Sequence, residues 1–212
     1  MKVSKNTPLK INLGCASRLL PGYINIDTDS LESIKVRYPN VEINTGHTFL
    51  QGNFFELDFQ EGTIDEIRAD SLIEHLSFKE EKEFFLRCSK LLKPNGLLYI
   101  ETPDFEWTVQ TWIKAKDDWQ DFYRDDDQAI ESKHWFGTYS YGFDNRWGYL
   151  MASIFGPQNG EGQFHKNAYT EDKFISIFKK LGFSNYEITR FRWKDDRDLM
   201  LKVKAYKNSG HQ

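Results

Sequence analysis

Asn12, Gly14, Asp27 and Asn53 follow one another at the ends of short apolar runs, the places where a nucleotide-like ligand is held in an open sheet. INLGCAS (11–17) reads as a strand that stops at Gly14, where the missing side chain lets the backbone approach a ligand and take unusual dihedrals. Asn12 lies two residues earlier. Asp27 ends the next run, PGYINID (21–27), and a carboxylate there can accept hydrogen bonds from both hydroxyls of a ribose. QGNFFELDF (51–59) puts Asn53 just past a third run, where its amide can read an adenine edge. Alone, INLGCAS is first of all a strand followed by a tight turn. It has one glycine where a dinucleotide fingerprint has three, and Ala16 takes the place of a second. The series of strand ends is what points to a ligand.

Other clusters read more plainly. Glu74 and His75 resemble a metal or acid–base pair, but adjacent residues on a helix point apart and HExxH spacing is absent. A structural, hydrogen-bonding role is expected there, and no metal is assigned. The acidic run Asp117, Asp118, Asp121, Asp125, Asp126 and Asp127 lacks the glycine and terminal Glu of a calcium loop and reads as a solvated face. NGEG (159–162) has no strand before it and reads as a loop.

The elements that must position these residues are visible in the periodicity. In SFKEEKEFFLRCSKLLKPNG (77–96), Phe84, Phe85, Cys88, Leu91 and Leu92 fall on one helical face. Ser77 with Glu80 forms a capping box, and Pro94 with Gly96 ends the run. In TEDKFISIFKKLGF (170–183), Phe174, Ile177, Phe178 and Leu181 make the stripe between a Thr170 cap and a Gly182 stop. NYEITRFRW (185–193) and DLMLKVKAYK (198–207) predict an antiparallel hairpin. Residues 10–14, 23–27, 48–52, 64–70 and 97–102 are strand-length runs without strict alternation, as in a parallel sheet covered by helices on both faces. The expected fold is therefore α/β, a Rossmann-like, mostly parallel open sheet in a three-layer αβα arrangement with its ligand at the carboxyl ends of the strands. Only eight residues separate Gly14 from Tyr23, too few for a normal helical crossover. Residues 104–168, which start with a predicted helix and turn acidic and then aromatic, read as an insertion that covers the site and contacts an acceptor.

Composition narrows the class. The 212 residues suit one domain, 1–212, and 16% aromatic content argues against disorder. A net charge of −4 supplies no field to attract nucleic acid. The polar start and the absence of a long apolar window predict neither a signal peptide nor a membrane span. Cys15 and Cys88 read as packed, reduced thiols, which points to the cytoplasm.

INLGCAS, PGYINID, IEHL (73–76), LLKPNGLLYIETPDF (91–105) and FHKNAYT (164–170), in that order, resemble the class I S-adenosylmethionine-dependent methyltransferases, and within them a branch similar to methyltransferases of cell-surface polysaccharide pathways. The resemblance implies seven strands with the last antiparallel, and S-adenosyl-L-methionine as cofactor. Carried over by position, Asn12, Gly14, Cys15 and Ala16 would lie along its methionine part. Asp27 would hold the ribose, Asn53 with Phe54 would flank the adenine, and Asp70 with Ser71 would sit near the sulfonium. Ala16 departs from the family's usual glycine, and Asn12 and Asn53 replace frequent acids. A sulfonium is already an activated donor, so alignment of the acceptor supplies much of the rate. A hydroxyl acceptor would also need a general base. His165 is the candidate, with Asp104 to orient it or bind the acceptor, and His134 in reserve. The acceptor expected is a small molecule or saccharide. An RNA or protein methyltransferase and a non-catalytic cofactor-binding module are the alternatives, and oligomeric state is left open.

Overall fold

The computed structural model describes residues 8–42, 46–114, 146–158, 160, 162–193 and 198–209. Seven strands form one sheet: β1 (Lys10–Leu13), β2 (Ile24–Asp27), β3 (Thr48–Gln51), β4 (Ile64–Asp70), β5 (Leu92–Pro103), β6 (Phe183–Phe191) and β7 (Met200–Lys207). Their order is β3-β2-β1-β4-β5-β7-β6. The first five pair in parallel, and β7 lies antiparallel to both β5 and β6. The described helices are α1 (Leu31–Arg37), α2 (Phe78–Leu91), α3 (Phe105–Lys114), α4 (Arg146–Phe155) and α5 (Glu171–Leu181). The expected class and terminal hairpin are observed. Helix ends follow the signals in the sequence: Ser77 and Glu80 close a reciprocal capping box, Thr170 accepts from the Lys173 N–H, and Gly182 stops α5 at φ 72°.

The two faces of the sheet differ. Side chains alternate along a strand, and cross-strand partners share a face. Ile11, Ile67, Leu98 and Ala205 lie in one row, and Leu13, Ala69, Ile100 and Val203 in the next. All eight are buried in the core with Phe84, Phe85, Phe174 and Phe178 from α2 and α5. The opposite face carries Lys10, Glu66, Arg68, Asp70, Tyr99, Glu101, Lys202 and Lys204, joined by ion pairs such as Lys10–Glu66 and Arg68–Asp70. Right-handed crossovers put α1 on this second face, because the chain moves the other way along the sheet between β2 and β3. The centre of the sheet presents apolar side chains on one face and charge on the other.

The short connection between β1 and β2 explains part of this asymmetry. The two strands pair directly in parallel, with turns and no helix between them. Two buried amides hold the connection in place of a helix. Asn12 Nδ2 donates to the Arg18 carbonyl (2.8 Å) and to Asn25 Oδ1 (2.9 Å). Asn25 Oδ1 also accepts from the Leu20 N–H, and its Nδ2 donates to the carbonyls of Leu20, Tyr23 and Thr48. Asn25 is fully buried, so each lost bond leaves a partner unsatisfied away from water. Asn25→Leu, similar in size and unable to bond, is expected to cost about 3 kcal/mol. Urea unfolding followed by circular dichroism checks this; an unchanged midpoint would show the network to be dispensable.

Candidate active site

The carboxyl ends of β1, β2 and β4 bring several predicted residues together. Gly14 takes φ 58°, and a Cβ built on it would meet Leu72 Cδ1 at 2.8 Å. The Cys15 N–H donates to the Ile26 carbonyl, which ties the turn to β2. The Ala16 N–H donates to Asp27 Oδ2 at 2.8 Å, and the Asp29 N–H donates to Oδ1 at 3.0 Å. Asp27 thus clasps the glycine turn and keeps lone pairs on both oxygens for further donors, the geometry a pair of ribose hydroxyls requires.

Asp70 ends β4 with an 8% exposed side chain. Its Oδ2 takes Arg68 Nε at 2.6 Å and Arg18 at 3.0 Å, while Oδ1 is buried with no hydrogen-bond partner among the described residues. Burial raises its pKa despite Arg68 beside it. The neighbouring Glu101, its register partner on β5, also receives Arg18 at 3.1 Å. An orphaned carboxylate oxygen at a strand end suits the cationic end of a ligand. Ser71 follows at φ 50°, with its N–H on the Glu101 carbonyl.

Other predicted residues are placed differently. Asn12 is 2% exposed and donates its amide to the β1–β2 connection. Cys15 is buried, and burial pushes its thiol up to about 12, which leaves it inert at neutral pH. Asn53 Oδ1 accepts from the Phe55 N–H and Nδ2 donates to Glu56, capping the turn after β3. The Phe54 ring lies in the core against Phe84. Asn25 and Glu101 were missed by the sequence reading. Both lie inside the strings PGYINID and LLKPNGLLYIETPDF, but only the strand register reveals their neighbours.

Ala16 sits at φ 40°, a region that costs a residue with a Cβ about 1–2 kcal/mol. Glycine there removes that strain and adds roughly 0.5–1 kcal/mol of unfolded-chain entropy. Ala16→Gly is therefore expected to leave the melting temperature unchanged or slightly higher and to retain ligand affinity. A loss of affinity by titration calorimetry would show that the Ala16 methyl itself contacts the ligand.

The acceptor-side candidates form a second group. Asp104, 1% exposed, accepts Arg190 Nε on Oδ2 (2.7 Å) and the Trp107 N–H on Oδ1 (3.1 Å), so it caps α3 and anchors β6. His165 Nδ1 faces the Ser153 carbonyl at 2.9 Å. The expected pairing of Asp104 with His165 is thus not made, since each is held elsewhere. His165 instead packs edge-on against His75, ring centroids 4.8 Å apart. Burial and the neighbouring His75 pull its pKa down to about 4, a weak base at neutral pH. Glu74 and His75, expected to point apart, converge with His165, because the 3-10 turn Ile73–His75 breaks helical spacing and the 164–167 segment returns onto it. The Glu74 carbonyl accepts the N–H groups of both Lys166 and Asn167. His134 and the acidic run 117–127 lie outside the described residues. A wide groove of about 720 Å³ between residues 56–61 and α2 contains none of the strand-end residues.

Residues 20–100 match the family model described as "Methyltransferase domain". Among solved structures, a SAM-dependent methyltransferase from Methanosarcina mazei is 16% identical, with 97% of this chain and 94% of that one covered and a TM-score of 0.56. A SAM-dependent methyltransferase from Archaeoglobus fulgidus is 12% identical over 96% and 87%, TM-score 0.56. The 1,6-didemethyltoxoflavin-N1-methyltransferase of Burkholderia thailandensis, solved with 1,6-didemethyltoxoflavin and S-adenosylhomocysteine, is 12% identical over 95% and 72%, TM-score 0.55. No curated protein matches the sequence. At these identities the structural likeness is one of fold. Over residues 20–100 the chain is similar to a methyltransferase domain, and over nearly its whole length it shares the fold of SAM-dependent methyltransferases.

Proposed function

We propose that this chain transfers the methyl group of S-adenosylmethionine to a small-molecule or glycan-like acceptor. The observation that carries the cofactor half is the Gly14–Ala16 turn clasped by Asp27, with the unpartnered Asp70 Oδ1 at the next strand end. In this reading Gly14, Cys15 and Ala16 present backbone to the methionine part, Asp27 holds the ribose, and Asn53 and Phe54 shape the adenine end. Asp70 and Ser71 face the cationic end. The cofactor supplies a sulfonium-activated methyl, and the protein's task is to align the acceptor and exclude water.

The acceptor half of the reading rests on the insertion 104–168 and on the branch resemblance to polysaccharide-pathway enzymes. Its described parts, α3 and α4, pack on each other beyond the end of β5. In this reading His165 stands at the acceptor end, and Asp104, just past β5, caps α3 and holds Arg190 of β6. One domain acting in the cytoplasm belongs to the same reading; among the described residues no helix is long and apolar enough to cross a membrane. The test is calorimetric titration with S-adenosylmethionine and S-adenosylhomocysteine, followed by transfer of labelled methyl to a panel of sugars and small hydroxylated acceptors. Micromolar cofactor binding with label on a sugar supports the whole reading. Absence of cofactor binding overturns it, and label on RNA or protein alone overturns the acceptor assignment.

A further inference from the structure

Glu74, His75 and His165 each offer a ligand atom, and the three atoms lie within 4.8 Å of one another. The two imidazoles are held in a matching way. His75 Nδ1 faces the Phe164 carbonyl at 3.2 Å, and His165 Nδ1 faces the Ser153 carbonyl at 2.9 Å. A carbonyl can only accept, so each ring carries its proton on Nδ1 and presents Nε2 as a lone pair. A backbone carbonyl on the far nitrogen is the support that orients histidines bound to metal. The third group, Glu74, is 3% exposed and is fixed by Thr102 Oγ1 donating to Oε2 at 3.0 Å. A cavity of about 10 Å³ borders Glu74 and His165, with Thr102, Ser153 and Tyr169 in its wall. That is room for roughly one water or one ion.

We propose that Glu74, His75 and His165 form a binding site for a divalent cation of the zinc class. Two neutral imidazoles and one carboxylate make the donor set of a three-ligand zinc site, which keeps a further position for a water or hydroxyl oxygen. Tetrahedral ligands about 2.0–2.1 Å from zinc stand roughly 3.4 Å from each other, so metal binding would draw the three atoms closer than the 4.8 Å within which they now lie. The hydrogen bonds from Lys166 and Asn167 to the Glu74 carbonyl lock the 164–167 segment onto the turn that carries the other two ligands. The site lies beyond the ends of β4 and β5, where its open position would take an oxygen of a hydroxylated acceptor. That last role rests on the transferase reading; the metal site does not.

The experiment uses the full-length protein, freed of metal by a chelator and titrated with Zn2+ against a competing indicator, with Co2+ absorption as a second readout. One equivalent of Zn2+ is expected, together with the visible bands of tetrahedral Co2+. His75→Gln, His165→Gln and Glu74→Gln are each expected to weaken binding at least tenfold, and the double histidine variant to abolish it. Glu74→Gln keeps an acceptor for Thr102, and circular dichroism of each variant separates lost folding from lost ligation. A wild type without stoichiometric Zn2+ binding overturns the proposal, as does full binding by a folded double variant. Retained S-adenosylhomocysteine binding with no metal binding overturns the site alone; the reverse pattern overturns only the transferase reading.

Discussion

Asp27→Ala is expected to lower S-adenosylhomocysteine affinity by 100-fold or more, the largest effect of any single change at the strand ends. A carboxylate that accepts two hydroxyl hydrogen bonds contributes about 1.5–3 kcal/mol through each, and every 1.4 kcal/mol is tenfold in affinity. The same side chain accepts the N–H groups of Ala16 and Asp29, so the variant also releases the turn that the methionine part would lie against. Both losses act in one direction. Asp27→Asn keeps one carbonyl acceptor and is expected to fall between, near tenfold. Titration calorimetry reads the affinities, and thermal melts establish that each variant is folded at the temperature used. Wild-type affinity in folded Asp27→Ala would remove the carboxylate from the cofactor site, and with it the main support for the ribose assignment.

The part of this site that could be read in advance was the part set by local rules. Gly14 and Asp27 stand at strand ends, where a glycine turn and a terminal acid each announce themselves within a few residues. The caps Ser77, Thr170 and Gly182 did so for the same reason. What stayed hidden depends on register. Asn25 looks like any strand residue until its pairing with Asn12 puts two amides side by side under a connection with no helix. The charged face of Arg68, Asp70, Tyr99 and Glu101 was hidden because short runs without strict alternation also fit strands buried on both sides. Asn53, Phe54 and Asp104 were placed at the right ends of the right strands, yet their side chains serve turn, core and helix cap. Position on a strand predicts where a residue stands, whereas its partners decide what it does.

The convergence of Glu74, His75 and His165 has the same origin, since 89 residues separate His75 from His165 and no periodicity relates them. Their meeting depends on one backbone crossing. Gly156 ends α4 at φ 81°, its N–H on the Ala152 carbonyl, and the 163–165 strand of chain passes directly over it. A Cβ at position 156 would stand 2.0 Å from the Gln163 carbonyl oxygen and 2.8 Å from the His165 backbone nitrogen. Both are main-chain atoms, so no side-chain rotation relieves the clash. The left-handed dihedral adds about 1–2 kcal/mol for any residue with a Cβ. Gly156→Ala is therefore expected to cost about 3–5 kcal/mol, at the upper end of single substitutions, and to push His165 off the Ser153 carbonyl and away from Glu74. Zn2+ affinity should fall with it. Gly160→Ala, where an added Cβ meets nothing within 4 Å, is the matched control and should melt with the wild type. Urea unfolding of the pair checks the stability, and Zn2+ titration of whatever stays folded checks the geometry. A Gly156→Ala protein as stable as the control would mean that the 163–165 segment does not cross α4 at this distance, and the imidazole of His165 would then lack the support that aims it at its two partners.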